Sequence, residues 1–408
     1  MGDRAVSDGA MSDWPVSRDA DQRAVSARRR FLGTLAASAG AATLLAGLEG
    51  GSKASAQQAG DQRAGARQGG GQQAGDRPPP PSGFPPRPPE PKVSQPPPLR
   101  DVAGKTIYIS AASDGIGLGI ARACSNAGMN VVIGYRNEKR LAAALPLFKK
   151  DAQVLPIKHD VVGRDGWVQM LGAVKRKYGK LHAVVNNAGI KTLRKASEAT
   201  PEEWQSSFNV DLMAIAHSVA VVLPHMLEHN EGGQFVATAS MSGLLPAVTA
   251  GVYTTMKFAV VGIMEALRIE LEGTNIGTSV FCPGGVATDN YFGTGKENPY
   301  LEELARERPR PANVPGGRPR PRFNPDVMMH PLEAGERVLN GIRNNDLFIL
   351  SHPEFKDGME ERFNAILTSV PDEAFPPERL EIEAFTRHTG IYPREIVHRL
   401  EKRKSYLG

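Results

Sequence analysis

The 408-residue chain contains only two cysteines, Cys124 and Cys282. They lie far apart, and neither belongs to a Cys-x-x-Cys pair or a Cys/His cluster, so no metal site is implied. Aromatic residues make up only 6% of the chain, and no basic stripe interleaves with them. The formal net charge is a mild +5. Together these argue against a nucleic-acid partner. The nine histidines are scattered. His225 and His229 have the i, i+4 spacing of a metal pair, but the simpler reading is a solvated helix face. Long hydrophobic runs are missing as well. The one segment near membrane-spanning length, residues 31–48, is diluted by Ala, Gly, Ser and Thr.

The flanks of that segment carry its meaning. Arg28-Arg29-Arg30 precede Phe31-Leu32, and Ala54-Ser55-Ala56 follow as a small-x-small cleavage pattern. The whole resembles a twin-arginine signal peptide, with Arg28 and Arg29 as the pair. Ala27 and Gly33 depart from the commonest residues of that pattern. Residues 1–56 are therefore expected to direct export to a periplasmic or secreted location, with the twin-arginine machinery as a transient partner. The alternative is an uncleaved membrane anchor. Residues 57–100 are Gln/Gly-rich and then Pro-rich, as in "RPPPPSGFPPRPPEPK", and read as a disordered linker.

From Asp101 the pattern changes. Seven β-rich runs, "KTIYIS", "NVVIGY", "QVLPIKHD", "HAVVNN", "GQFVATAS", "GTSVFC" and "DLFILS", alternate with helical stretches such as 116–127 and 164–178. This is an α/β pattern: a doubly wound, Rossmann-type parallel sheet of about seven strands with helices on both faces. Residues 101–408 form one catalytic domain in this reading. The Pro/Arg-rich stretch at about 289–330 interrupts it as a lid insertion, and a helical extension runs from about 371.

The first strand runs into "ISAASDGIGLGIARA", where Gly115 and Gly117 would let a pyrophosphate approach a helix N-terminus. Further motifs follow in order. "NNAG" at 186–189 ends the fourth strand, Ser240 precedes Tyr253 by 13 residues, Tyr253 and Lys257 form Tyr-x-x-x-Lys, and "PGGVAT" at 283–288 follows the sixth strand. Over about residues 101–370 the chain resembles the short-chain dehydrogenase/reductase family. Ser110 and Ala111 stand where that family has Thr and its first Gly. An alanine there is tolerable if its φ is negative.

The resemblance implies an NAD(P)-dependent oxidoreductase that moves hydride between the nicotinamide and a small-molecule carbonyl or secondary alcohol. Tyr253 and Lys257 share one helix face. A nearby ammonium favours a phenolate, which suits the tyrosine to general acid–base work. By resemblance, Lys257 also binds the nicotinamide ribose, and Ser240 hydrogen-bonds the substrate oxygen. Asp211 in "FNVDLMA" occupies the position of the family's Asn, which supports a water relay. An aspartate there is expected to pair with Lys257 through water and to raise its pKa. Asn209 is a substitute only if the register slips.

The resemblance places the cofactor on Ser113, Asp114, Gly115, Ile116, Gly117, Arg136, Asp160, Val161, Asn187, Ala188, Gly189, Tyr253, Lys257, Pro283, Gly284, Val286 and Thr288. Tyr135 fills the usual acidic position after the second strand and Arg136 follows, with Lys139 and Arg140 near. A guanidinium suits a 2′-phosphate, so NADP is favoured, with NAD the alternative. Asp114 counts against NADP. Tyr291, Phe292 and Leu301 would cover the site from the lid. Both cysteines read as inert buried thiols. Long helices at about 201–228 and 252–273 suggest a homodimer or homotetramer, as in many relatives. A non-catalytic dinucleotide sensor or scaffold is the competing function, motivated by Ala111 and Asp211.

Overall fold

The computed structural model describes residues 95–288, 327–383 and 389–407. The proposed signal segment, residues 57–94 of the linker, Tyr291, Phe292 and Leu301 lie outside them. The sheet has the strands β1 (Thr106–Ile109), β2 (Asn130–Tyr135), β3 (Val154–Lys158), β4 (Ala183–Asn186), β5 (Gly233–Thr238), β6 (Ile276–Cys282) and β7 (Phe348–Leu350). Their order is β3-β2-β1-β4-β5-β6-β7, and every pairing is parallel.

Each expected strand run became a strand because both sheet faces are covered. Alternate residues then serve two cores. Tyr108, Val132, Val184, Phe235 and Val280 enter one. Ile107, Ile109, Val131, Val185, Val236 and Phe281 enter the other. Helices α1 (Gly115–Asn126), α2 (Glu138–Ala144), α3 (Arg164–Tyr178), α4 (Pro201–His229), α5 (Gly251–Glu270) and α6 (Pro331–Asn344) connect the strands. On one face α1 and α6 cross at backbone contact. A Cβ on Gly335 would lie 2.2 Å from the Gly119 carbonyl oxygen.

Helix α4 starts at a capping box. Thr200 Oγ1 accepts the Glu203 N–H, and Glu203 accepts the Thr200 N–H. It then passes through a π-helical turn, Phe208–Met213, which bears Asp211. Beyond β7 the described residues form α7 (Lys356–Thr368), α8 (Arg379–Ile382) and α9 (Ile391–Leu407). The last of these docks on buried Asp346. His398, Arg399 and Lys402 lie 2.9, 3.1 and 3.0 Å from its carboxylate.

Two expectations need correction. Residues 95–100, expected in the linker, pack onto the domain. Leu99 is buried, and the Gln95 side-chain amide donates to the Thr274 and Ile276 carbonyls. His225 and His229 do not form a solvated face. His225 Nε2 accepts the Leu181 N–H at 3.1 Å, and His229 Nε2 donates to the Leu181 carbonyl at 3.0 Å. The pair staples α4 to the start of β4 because it satisfies the backbone N–H and carbonyl of Leu181, which precedes the strand. Among the described residues, no group of three or more His, Cys, Asp or Glu side chains could hold a metal ion.

Candidate active site

Strand order reverses between β1 and β4, and in such folds ligands bind at the carboxyl ends of the strands flanking that reversal. Ser110 stands at the end of β1. Its hydroxyl accepts the N–H groups of Asn187 (2.9 Å) and Ala188 (2.8 Å). The Asn187 side chain turns the other way along the same seam. Its Nδ2 donates to the carbonyls of Ser110 (3.2 Å) and Ala111 (3.4 Å), and its Oδ1 accepts from Thr238 (3.2 Å). Asn187 therefore fastens the glycine turn to β4 and β5 rather than presenting its amide to a ligand.

The turn itself holds a correction. Ala111 adopts φ +50°, in the left-handed region, so the expected negative φ is not met. The alanine bears the strain of that conformation with its side chain exposed. Gly115 also has positive φ, +54°, and a Cβ there would meet Thr288 at 3.3 Å. A Cβ on Gly117 would lie 2.4 Å from the Ala111 carbonyl oxygen and 2.6 Å from Asn187 Nδ2. Asp114 provides no side-chain cap to α1, so the first N–H groups of this helix suit an anion.

Asn186, at the end of β4, has both amide atoms buried without a protein partner, which calls for a ligand or water. These features fit a dinucleotide. Ser113, Gly115, Ile116 and Gly117 would hold its pyrophosphate, and Thr288 would face it across the turn.

At the adenosine end, Arg136 Nη1 stands 3.7 Å from Asp160 Oδ2, and Arg140 pairs with Asp114. Asp114, expected to count against NADP, is thus answered by a guanidinium. Asp160 Oδ1 also accepts the Val162 N–H at 3.1 Å. The Val161 side chain packs into the core, and its carbonyl accepts from Trp167 Nε1 at 3.0 Å.

At the other end, α5 and the π-helical turn of α4 meet. Lys257 Nζ donates to Asp211 Oδ1 at 2.9 Å and to the Thr238 carbonyl at 3.2 Å. It lies 5.5 Å from the centre of the Tyr253 ring, as the shared helix face requires. Both Lys257 and Asp211 are buried. Burial works against the Lys257 ammonium, but Asp211 and Tyr253 more than offset it, and its pKa is raised. Burial pushes the Asp211 carboxyl up, with the Lys257 ammonium and the Ile190 N–H (3.4 Å) opposing. The contact is direct rather than through the expected water.

Gly189 makes this contact possible, since a Cβ there would lie 2.8 Å from Asp211 Oδ1 and 3.1 Å from Lys257 Nζ. Asn209 faces away and pairs with Gln205 at 2.8 Å.

Ser240 follows β5 with extended backbone, and its hydroxyl accepts the Ser242 N–H at 3.1 Å. The hydroxyl proton is left to donate. The Met241 N–H donates to the Pro283 carbonyl at 2.9 Å, joining the Ser240 and "PGGVAT" turns. Val286 bridges to Met329, which pins the two ends of the interrupted segment. Cys124 and Cys282 are buried, and burial pushes each thiol up to about 12, so neither is a nucleophile.

Two contributors escaped sequence reasoning. Thr238 acts through its carbonyl, which no residue pattern reveals. His352, after β7, binds Gly284 and Gly285, and only its place in "ILSHPEF" hinted at it.

Residues 105–297 match the short chain dehydrogenase family. The CLA biosynthesis dehydrogenase/reductase of Lactiplantibacillus plantarum is 27% identical over 283 residues, covering 67% of this chain and 97% of that protein. The 3beta-hydroxysteroid dehydrogenase 2 of Eggerthella lenta is 30% identical over 207 residues, covering 50% of this chain and 79% of that protein. A short chain dehydrogenase/reductase from Burkholderia phymatum, solved in complex with NAD, superposes with a TM-score of 0.55 at 25% identity, covering 68% of this chain and 99% of that one. The chain belongs to the short-chain dehydrogenases, a family of NAD(P)-dependent oxidoreductases.

Proposed function

We propose that the chain is an NADP-dependent oxidoreductase acting on a carbonyl or secondary alcohol, with Tyr253 as general acid–base. The observation that carries this reading is the buried Lys257 ammonium, fixed by Asp211 and Thr238 and 5.5 Å from the Tyr253 ring. The bound nicotinamide supplies or accepts the hydride. In the reducing direction Tyr253 gives its phenolic proton to the substrate oxygen as the carbon gains hydride. In the oxidising direction it takes the hydroxyl proton. Ser240 donates a hydrogen bond to the same oxygen and stabilises the charge that develops there. Lys257 holds the field at the phenol steady, and its remaining proton would be available to the ribose of a bound cofactor.

NADP is favoured over NAD because Arg136 and Arg140 both lie at the adenosine end. Each is tethered by a carboxylate that a 2′-phosphate can replace. The test is oxidation of NADPH, and of NADH in parallel, with a panel of carbonyls that includes 3-ketosteroids. Tyr253→Phe is expected to lower kcat at least a hundredfold while cofactor binding persists. Silence across the panel with tight NADPH binding would instead make the chain a dinucleotide sensor.

Export through the twin-arginine route belongs to the same proposal. A cofactor made in the cytoplasm must be bound before a folded protein leaves. Arg28→Lys with Arg29→Lys is expected to retain the full-length chain in the cytoplasm, as read by cell fractionation. Unchanged fractionation would count against export. A homodimer or homotetramer through α4 and α5 is expected by size-exclusion chromatography with light scattering.

A further inference from the structure

The "PGGVAT" turn carries four of the residues assigned to the cofactor; Pro283 fixes its first φ, but the two glycines that follow add no stiffness of their own. Two adjacent glycines lose more conformational freedom on ordering than any other pair would. Something outside the turn must hold it.

His352 does. It follows Ser351, a buried residue just past β7. The Gly284 N–H donates to His352 Nδ1 at 3.0 Å. That bond requires a lone pair on Nδ1, so the ring proton sits on Nε2, which donates to the Gly285 carbonyl at 3.2 Å. One imidazole thus holds a donor and an acceptor of consecutive glycines. Ser351 Oγ lies 2.7 Å from the same Nδ1, so its hydroxyl donates to that lone pair as well. Phe355 packs edge-on against it, with ring centres 6.2 Å apart.

The fit leaves no slack. A Cβ on Gly284 would lie 2.7 Å from His352 Cγ and 2.8 Å from Phe355 Cε2. The Gly285 carbonyl also accepts the Met329 N–H at 3.3 Å, where the chain returns toward α6. His352 therefore ties the turn to β7 and to the segment leading into α7, while Met329 ties it to the far end of the interrupted stretch.

We propose that His352 is a positioning residue that sets the backbone of Gly284 and Gly285 for the nicotinamide half of the cofactor. The proposal rests on the dinucleotide reading above. It divides the cofactor in two. The adenosine half is held at α1 and after β2 and β3, away from His352. The nicotinamide half depends on the turn that His352 holds.

Isothermal titration of the full chain with NADPH, and separately with 2′,5′-ADP, tests this. NADH and 5′-ADP serve as the parallel pair. His352→Ala is expected to weaken NADPH binding about tenfold, from the loss of two hydrogen bonds. Its affinity for 2′,5′-ADP is expected to stay within about twofold of wild type. His352→Asn keeps an acceptor near the Gly284 N–H and loses the bond to Gly285, so an intermediate loss is expected. It also carries the test if the alanine variant does not fold. Unchanged NADPH affinity in the variants, or equal weakening of both ligands, would overturn the role of His352. A wild-type chain that binds neither nucleotide of either pair would overturn the dinucleotide reading itself.

Discussion

Asp211 Oδ1 lies 2.9 Å from Lys257 Nζ, and both side chains are almost wholly buried. A neutral amide in that place would leave the ammonium uncompensated. The carboxylate instead stabilises it, and the Lys257 pKa is raised. Asp211→Asn removes that charge and keeps an acceptor. Lys257 then loses its proton at lower pH, and the alkaline fall in kcat/KM is expected at lower pH than in wild type. An unmoved alkaline limb would show that Asp211 does not set this charge. Asp211→Ala leaves a buried charge without its partner and is expected to cost about 3–5 kcal/mol of stability in urea unfolding.

Ala111 at φ +50° carries strain that glycine would not. The left-handed region costs an L-residue about 1–2 kcal/mol, partly offset by the greater freedom of glycine in the unfolded chain. Ala111→Gly is expected to stabilise the domain by about 0.5–1 kcal/mol and to raise its thermal midpoint. Ala111→Val, branched at Cβ, is expected to lower it. The opposite order in a thermal shift series would contradict the assigned conformation.

Gly335 and Gly119 let α1 and α6 touch through their backbones. A methyl on Gly335 meets backbone, which cannot rotate away. Gly335→Ala is expected to destabilise by about 1–3 kcal/mol or more, measured by chemical denaturation. Gly262→Ala is the control. It lies in a helix with nothing within 4 Å of its Cβ direction, and its substitution is expected to be neutral or slightly stabilising.

Stability is expected to fall in mild acid. Burial lowers the pKa of both His159 and His182 to about 4. His159 Nδ1 lies 2.5 Å from the buried Tyr108 hydroxyl, and His182 Nδ1 accepts the Thr106 N–H at 3.1 Å. Each ring therefore stays neutral in the folded state below pH 6.5, where the unfolded chain takes up protons. The stabilisation is complete above about pH 6.5 and is lost as pH falls toward 4, by roughly 1–3 kcal/mol for each residue. Urea midpoints measured from pH 7 to pH 4.5 check this. His182→Asn, which keeps an acceptor for Thr106, is expected to flatten part of the decline.

Much of the site could be read before the fold was known. The roles proposed for Gly115, Gly117, Ser240, Tyr253 and Lys257 rest on their own side chains, or the lack of one, at fixed spacings, and such roles survive as patterns in a string. The sequence by itself also determined the seven strands, because a sheet buried on both faces demands runs of apolar residues whatever their partners. The tertiary structure alone decided the direct Asp211–Lys257 contact, the positive φ of Ala111, the pairing of Arg140 with Asp114 and the hold of His352 on Gly284. In each case the outcome depends on how closely two segments distant in the chain approach, and on backbone groups that every residue carries alike. A local pattern records what a side chain is. Packing sets which group stands within 3 Å of it, and that distance determines whether a charge is balanced, a turn is rigid or a histidine stays neutral.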